Sequence, residues 1–136
     1  MDNGISANWL LITGHKPNGL VDGKLSGCPE SPNCVITEGE KPPTPPLTFN
    51  DSPEEAWARA KEAVIDVGGK IESEDNGYLW ATFTSAIFHF VDDLELRMDK
   101  REKLLHLRSA SRVGYFDFGV NKKRYKKIAW LFHSKP

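Results

Sequence analysis

The chain has 136 residues, 39% of them hydrophobic and 27% charged, with a net charge of −1 at pH 7. That length suits one domain with an ordinary core, and the composition excludes a disordered chain. No apolar run approaches the roughly 18 residues of a membrane span, and the near-zero net charge argues against a dedicated nucleic-acid domain.

The opening, "MDNGISANWLLITGHKP", lacks the basic start and long apolar stretch of a signal peptide. No signal or transmembrane segment is read in this chain. A cytoplasmic protein is favoured, with export or an organelle open if a leader has been removed. "NWLLITG" is expected to be a short anchoring strand or loop. Residues 1–50 read as an irregular segment. Within it Cys28 and Cys34 flank two prolines and Asn33 in a C-x5-C loop. Two reduced structural thiols and a disulfide closing this loop both remain open. A metal site is disfavoured, because zinc usually takes four Cys or His ligands and no His is near. "KPPTPPLTF" should be a stiff, extended strap leading into the regular core.

"NDSPEEAWARAKEAVIDVGGK" predicts a helix. Ser52 suits the N-cap, Pro53 the first helical position and Glu55 the reciprocal place of a capping box. Ala56, Trp57, Ala60, Val64 and Val67 recur at helical spacing, and Gly68–Gly69 end the element. Four strand candidates follow. "KIESED" and "YLWATFTSAIF" flank the hairpin dipeptide "NG". A strict two-residue turn pairs Ser73 with Trp80 and Glu72 with Ala81, which gives no clean inner face. "DDLELRMD" alternates Leu94, Leu96 and Met98 inward with Asp93, Glu95 and Arg97 outward. "KLLHLRSAS" alternates Leu105 and Leu107 with His106 and Arg108. Joined through "DKRE", the last two strands match best with Met98 opposite Lys103, Leu96 opposite Leu105 and Leu94 opposite Leu107. That register sets Glu95 against His106 and Asp93 against Arg108. A final helix is expected over Val120 to His133, with Tyr125, Ile128, Leu131 and Phe132 as its apolar stripe. The expected fold is α+β: a four-stranded antiparallel meander with two helices packed on one face, preceded by an irregular N-terminal segment with a Cys-containing loop. Residues 1–136 are expected to form a single domain.

"RSASRVGYFDFGVNKKRYKK" gathers Arg108, Arg112, Lys122, Lys123, Arg124, Lys126 and Lys127 against one acid, Asp117. Arg108 and Arg112 offer planar forks to a carboxylate or phosphate, with the hydroxyls of Ser109 and Ser111 beside them. The structural alternative is a cross-strand pair of Asp93 with Arg108, which leaves Arg112 without a partner. Asp117 or Asn121 can cap the last helix, and a helix start favours anions. Lys122, Lys123 and Arg124 sit at the electrostatically wrong end of that helix, by ~0.3–1 kcal/mol per charge. A solvated helix face is the plain reading of these lysines; an anionic partner is the sharper one.

Catalytic signals are weak. His106 and Ser109 point to opposite faces of one strand, and so do the adjacent Asp92 and Asp93. His89 follows the buried-looking run "SAIFHF" and reads as a core-edge residue. There is no phosphate loop, dinucleotide fingerprint or paired-His metal helix, and no cofactor is expected. An enzyme using Asp93, His106 and Arg108 on the polar strand face is one alternative. A structural or assembly factor using Trp80, Phe88 and Phe90 is another.

"CPESPNCV", "FVDDLELRMD" and "RSASRVGYFDFGVNKKR" occur in that order, after a Gly-x-x-Pro stretch in "LITGHKPNGLVDGKLSG". From about Trp9 to Phe132 the chain resembles the Domain of Unknown Function 1499 family. The matching positions are Cys28, Pro32, Asn33, Cys34, Asp92, Asp93, Arg97, Arg108, Ser109, Ser111, Arg112, Gly114, Asp117, Gly119, Asn121 and Arg124. One departure is Val35-Ile36-Thr37, where the family usually has serines after the valine. The resemblance implies a small one-domain protein of bacterial or chloroplast type and carries no catalytic mechanism. The expected function is a non-catalytic binding or scaffold module. Its expected partner is an anionic small molecule, an anionic membrane surface with its lipid head groups, or an acidic protein; nucleic acid is disfavoured.

Overall fold

Local signals define the first helix of the computed structural model, which describes residues 16–29, 32–39, 42, 44–114 and 117–134. The expected anchoring segment, residues 8–14, lies outside the described residues. Helix α1 spans Pro53–Asp66 and starts with a complete capping box: Ser52 Oγ accepts from the Glu55 N–H, and Glu55 reaches back to the Ser52 N–H. Its buried face is Ala56, Ala60, Ala63 and Val64. These small side chains let the helix lie close to the sheet.

The sheet has six strands rather than four: β1 (Cys34–Ile36), β2 (Leu47–Thr48), β3 (Lys70–Asp75), β4 (Tyr78–Thr84), β5 (Val91–Asp99) and β6 (Leu104–Ser111). Strands β3 to β6 form the antiparallel meander. The additional two come from the segment read as irregular. Both pair antiparallel with β6, β1 through Cys34–Ala110 and β2 through Leu47–Leu105, and cover its otherwise open edge. Asn76 and Gly77 both take positive φ, as the two-residue turn between β3 and β4 requires. Ser73 does face Trp80, but a bulge at Glu72 sets Ile71, not Glu72, against Ala81. The bulge restores the inner face that strict alternation lacked.

The β5–β6 register differs from the expected one by two residues. Met98 faces Leu105, Leu96 faces Leu107, Leu94 faces Ser109 and Asp92 faces Ser111. A slip of two leaves every side chain on its expected face. Its consequence is that the apolar row under the helices gives way to Ser109, Asp92 and Ser111 at one end. Strand β4 stops at Thr84; residues 85–90, read as strand and core edge, form an exposed turn with His89 at φ 57°.

Helix α2 spans Val120–Ser134 and buries Ile128 and Phe132. Both helices pack on one face of the sheet, over Leu79, Ala81, Leu94, Leu96, Leu105 and Leu107. No described helix is long and apolar enough to cross a membrane.

Candidate functional site

The polar end of the β5–β6 row lies beneath the start of α2, and Asn121 sits at its centre with 0% exposure. Its Oδ1 accepts from Ser109 Oγ at 2.6 Å and from Arg124 Nη1 at 2.8 Å. Its Nδ2 donates to Asp117 Oδ2 at 2.8 Å, Ser111 Oγ at 2.9 Å and the Asn33 carbonyl at 3.2 Å. Asp117 also accepts from the N–H groups of Gly119 and Asn121, so its carboxylate closes the open start of the helix. Burial opposes ionisation of Asp117, but the hydrogen bonds from Asn121 and Gly119 outweigh it and hold the carboxyl below its ordinary 3.8. Arg124 is anchored on three sides: Asp92 Oδ2 at 3.0 Å, Asn121, and the Phe83 ring with its centroid 4.1 Å away.

This network forms one wall of a cleft of about 580 Å³. The polar lining includes Asp92, Ser111, Asp117 and Arg124. The rest is largely apolar, with Phe83, Phe90, Val113, Phe118, Val120 and Val67. The loop with Gly114 closes one side, held by Asn33 Nδ2 donating to the Gly114 carbonyl at 2.7 Å. Asn33 adjoins Cys34, which is disulfide-bonded to Cys28 with 5.7 Å between Cα atoms. Asn33 thus ties the Cys loop to the cleft wall through its side-chain amide and through its carbonyl, which accepts from Asn121 Nδ2 and the Ser111 N–H.

The structure brings Ser109, Ser111, Asp117, Asn121 and Arg124 together and separates the remaining expected ligand residues. Arg108 points to the opposite face, where it pairs with Glu95 at 3.6 Å. The expected Asp93–Arg108 pair is absent because register sets Asp93 beside Ala110. Asp93 is held instead by Arg112, Nε to Oδ2 at 2.6 Å and Nη2 to Oδ1 at 2.8 Å, so Arg112 has the partner the expected register denied it. Lys122 and Lys123 are exposed on the first turn of α2.

The sheet face away from the helices carries a second polar layer. It is buried, not solvated: Asp93 is 3% and Glu95 1% exposed. Tyr78 donates to Glu95 at 2.6 Å, and Trp80 donates to Asp93 at 2.8 Å. Burial pushes the Glu95 carboxyl up from its ordinary 4.5 despite Tyr78 and Arg108. Glu38 joins Arg97 through two hydrogen bonds and lies 3.8 Å from His106. The segment 16–29 crosses this face, with the Leu25 N–H on Glu38 and the Gly27 carbonyl accepting from Arg108. Asp93, His106 and Arg108 thus each serve a different partner and do not converge. Trp80 belongs to this layer too, half-buried on Asp93, while Phe88 and Phe90 stand exposed on the β4–β5 turn. Among the described residues, no group of three or more His, Cys, Asp or Glu side chains is placed to hold a metal ion.

Sequence reading missed Asp92 as the partner of Arg124, Glu38 as that of Arg97, and the aromatic lining of the cleft. Phe90 and Phe118 gave a usable signal: both continue apolar character into segments where strand or helix periodicity has ended.

A family model described as "Protein of unknown function (DUF1499)" matches residues 24–132. No curated protein and no solved structure matches the chain.

Proposed function

The chain belongs to the DUF1499 family, and because that family is described only as of unknown function, we propose from the site itself that this is a single, non-catalytic binding domain for a small amphipathic anion. The observation that carries this reading is the cleft beside α2, with apolar walls, a few fixed polar groups and two exposed lysines on the adjoining helix turn. A concave, mostly apolar pocket with a small convergent polar set is the usual form of a ligand site. The apolar body of the ligand lies against Phe83, Phe90 and Phe118. Its anionic end lies toward Lys122 and Lys123. Arg124 and Asp117 act through the shape of the site, since their charges are met by Asp92 and by the helix start.

Titration with oleate, with methyl oleate as the uncharged control, tests this. Saturable binding of oleate, about tenfold weaker for the ester or for the double variant Lys122→Ser/Lys123→Ser, is expected from ~1.4 kcal/mol of lost charge attraction. A Val113→Trp variant should fill the cleft and abolish binding. Absence of saturable oleate binding, or binding indifferent to Val113→Trp, overturns the reading.

A further inference from the structure

The turn between β4 and β5 has a fixed backbone and an apolar tip. Ser85 N–H donates to the Phe90 carbonyl at 2.9 Å, the His89 N–H to the Ser85 carbonyl at 3.1 Å, and the Phe90 N–H to Ser85 Oγ at 2.9 Å. Held in this way, Ile87 is 80% exposed and Phe88 69%. Phe88 stacks on Phe90 with centroids 5.3 Å apart, which stiffens the pair without covering it. Across the cleft mouth, Phe118 is 80% and Val120 43% exposed. Phe90 and Phe118 line the same cleft, so the two apolar loops stand at one end of the molecule.

Lys122 and Lys123, then Lys126 and Lys127, follow directly on α2, all exposed and without an ion pair among the described residues. The place of Lys122 and Lys123 in the first turn, at the positive end of the helix, gains nothing locally. Isolated exposed apolar side chains are ordinary, but a tied turn that presents several beside a basic cluster is an interaction surface. The charge selects the occupant. A second copy docking through the same patch would bring the lysine clusters of both chains together. An anionic bilayer meets both features at once: apolar tips enter the headgroup–acyl boundary, and each lysine near the surface strengthens binding by roughly fivefold.

We propose that the chain docks peripherally on anionic membranes through Ile87, Phe88 and Phe118, with Lys122, Lys123, Lys126 and Lys127 facing the lipid head groups. The docking is independent of whether the cleft binds oleate, and the cleft mouth then opens onto the lipid surface.

Co-sedimentation of the whole chain with phosphatidylcholine vesicles, with and without phosphatidylglycerol, tests the proposal. Binding is expected only with phosphatidylglycerol and should weaken as salt shortens the screening length. Ile87→Ser/Phe88→Ser should lower partitioning by at least about tenfold from lost apolar burial. Lys122→Ser/Lys123→Ser should lower it by roughly tenfold or more. These side chains are exposed, so the variants should keep the wild-type unfolding midpoint. No partitioning, or partitioning indifferent to phosphatidylglycerol or to the Ile87/Phe88 change, overturns the proposal. So does a dimer in gel filtration that dissociates in Ile87→Ser/Phe88→Ser, since the patch is then the contact between copies. Oleate binding that persists with Val113 intact but without vesicle binding would overturn docking alone.

Discussion

Replacing Asn121 by alanine removes the one side chain that joins both serines, Asp117, Arg124 and the Cys loop. The loss falls unevenly on its partners. The Asn33 carbonyl keeps the Ser111 N–H at 3.0 Å, and Asp117 keeps the Gly119 and Asn121 N–H groups. Ser109 is 0% exposed and loses the only acceptor of its hydroxyl proton among the described residues. A buried orphan costs about 1–3 kcal/mol, and the weakened hold on Asp117 and Arg124 adds to it, so the expected loss is about 3 kcal/mol. Urea unfolding should show a lower midpoint with an unchanged slope. Asn121→Asp separates charge from packing. It keeps the acceptor oxygen toward Ser109 but sets a second carboxylate where Nδ2 now lies 2.8 Å from Asp117. Its deficit should be largest at neutral pH and shrink in acid as the pair takes up a proton. A loss under about 1 kcal/mol for Asn121→Ala, well below one buried orphan, would refute the role of this amide. Asn121→Asp with a deficit constant in pH would refute the electrostatic account.

Two further outcomes follow from close packing and from burial of charge. A Cβ on Gly69 would lie 2.7 Å from Val64 Cγ1 and 2.9 Å from the Val64 carbonyl oxygen, so Gly69→Ala should destabilise by about 1–3 kcal/mol, while Gly27→Ala, with open space, should change little; equal midpoints for the two would contradict this. Burial holds His106 below its ordinary 6.5, so the unfolded chain takes a proton first and stability should fall as pH drops from about 6.5 toward the folded value; Glu38, held below 4.5 by Arg97 and Leu25 against its burial, extends the loss below pH 4.5. Glu95 works the other way, its raised pKa adding stability in acid, and a His106→Gln variant should flatten the profile just below pH 6.5 alone; parallel profiles for variant and wild type would remove His106 from the account.

The sequence was most informative where structure is local. The capping box needs only Ser52 and Glu55, and the first hairpin turn needs only Asn76 and Gly77. The β5–β6 register was misread because opposite charges were matched within the hairpin. The real register places Arg97 opposite His106, two groups of like sign when the imidazole is protonated. What makes this tolerable is Glu38, 59 residues away in sequence from Arg97, which bonds Arg97 and faces His106. A partner from another part of the chain cannot be inferred from the two strands it joins. Arg112 shows the same limit: it lies past the end of β6, yet its N–H extends the ladder to the Val91 carbonyl and its guanidinium turns back to Asp93. Alternation gave the correct face for Asp93 and Glu95, but segment 16–29 determines that this face is buried, and glycine-rich irregular chain has no periodicity to announce it.

The basic stretch 108–127 therefore divides by face and by partner. Its arginines are structural: Arg108 meets Glu95, Arg112 meets Asp93 and Arg124 meets Asp92. Each of those carboxylates is buried or nearly so, and a buried charge left alone is far more costly than a paired one. Fold stability thus accounts for the arginines and for their acidic partners in "VDD". It does not account for the lysines, which are exposed and lack such partners among the described residues, Lys122 and Lys123 also standing at the unfavourable end of α2. Nor does it account for Ile87 and Phe88, whose turn is ordered by three hydrogen bonds while their side chains face outward. The exposed turn with Phe90, which lines the cleft, and the lysines that follow Val120, also in the cleft lining, are the two features on which the proposed anionic ligand and membrane surface rest.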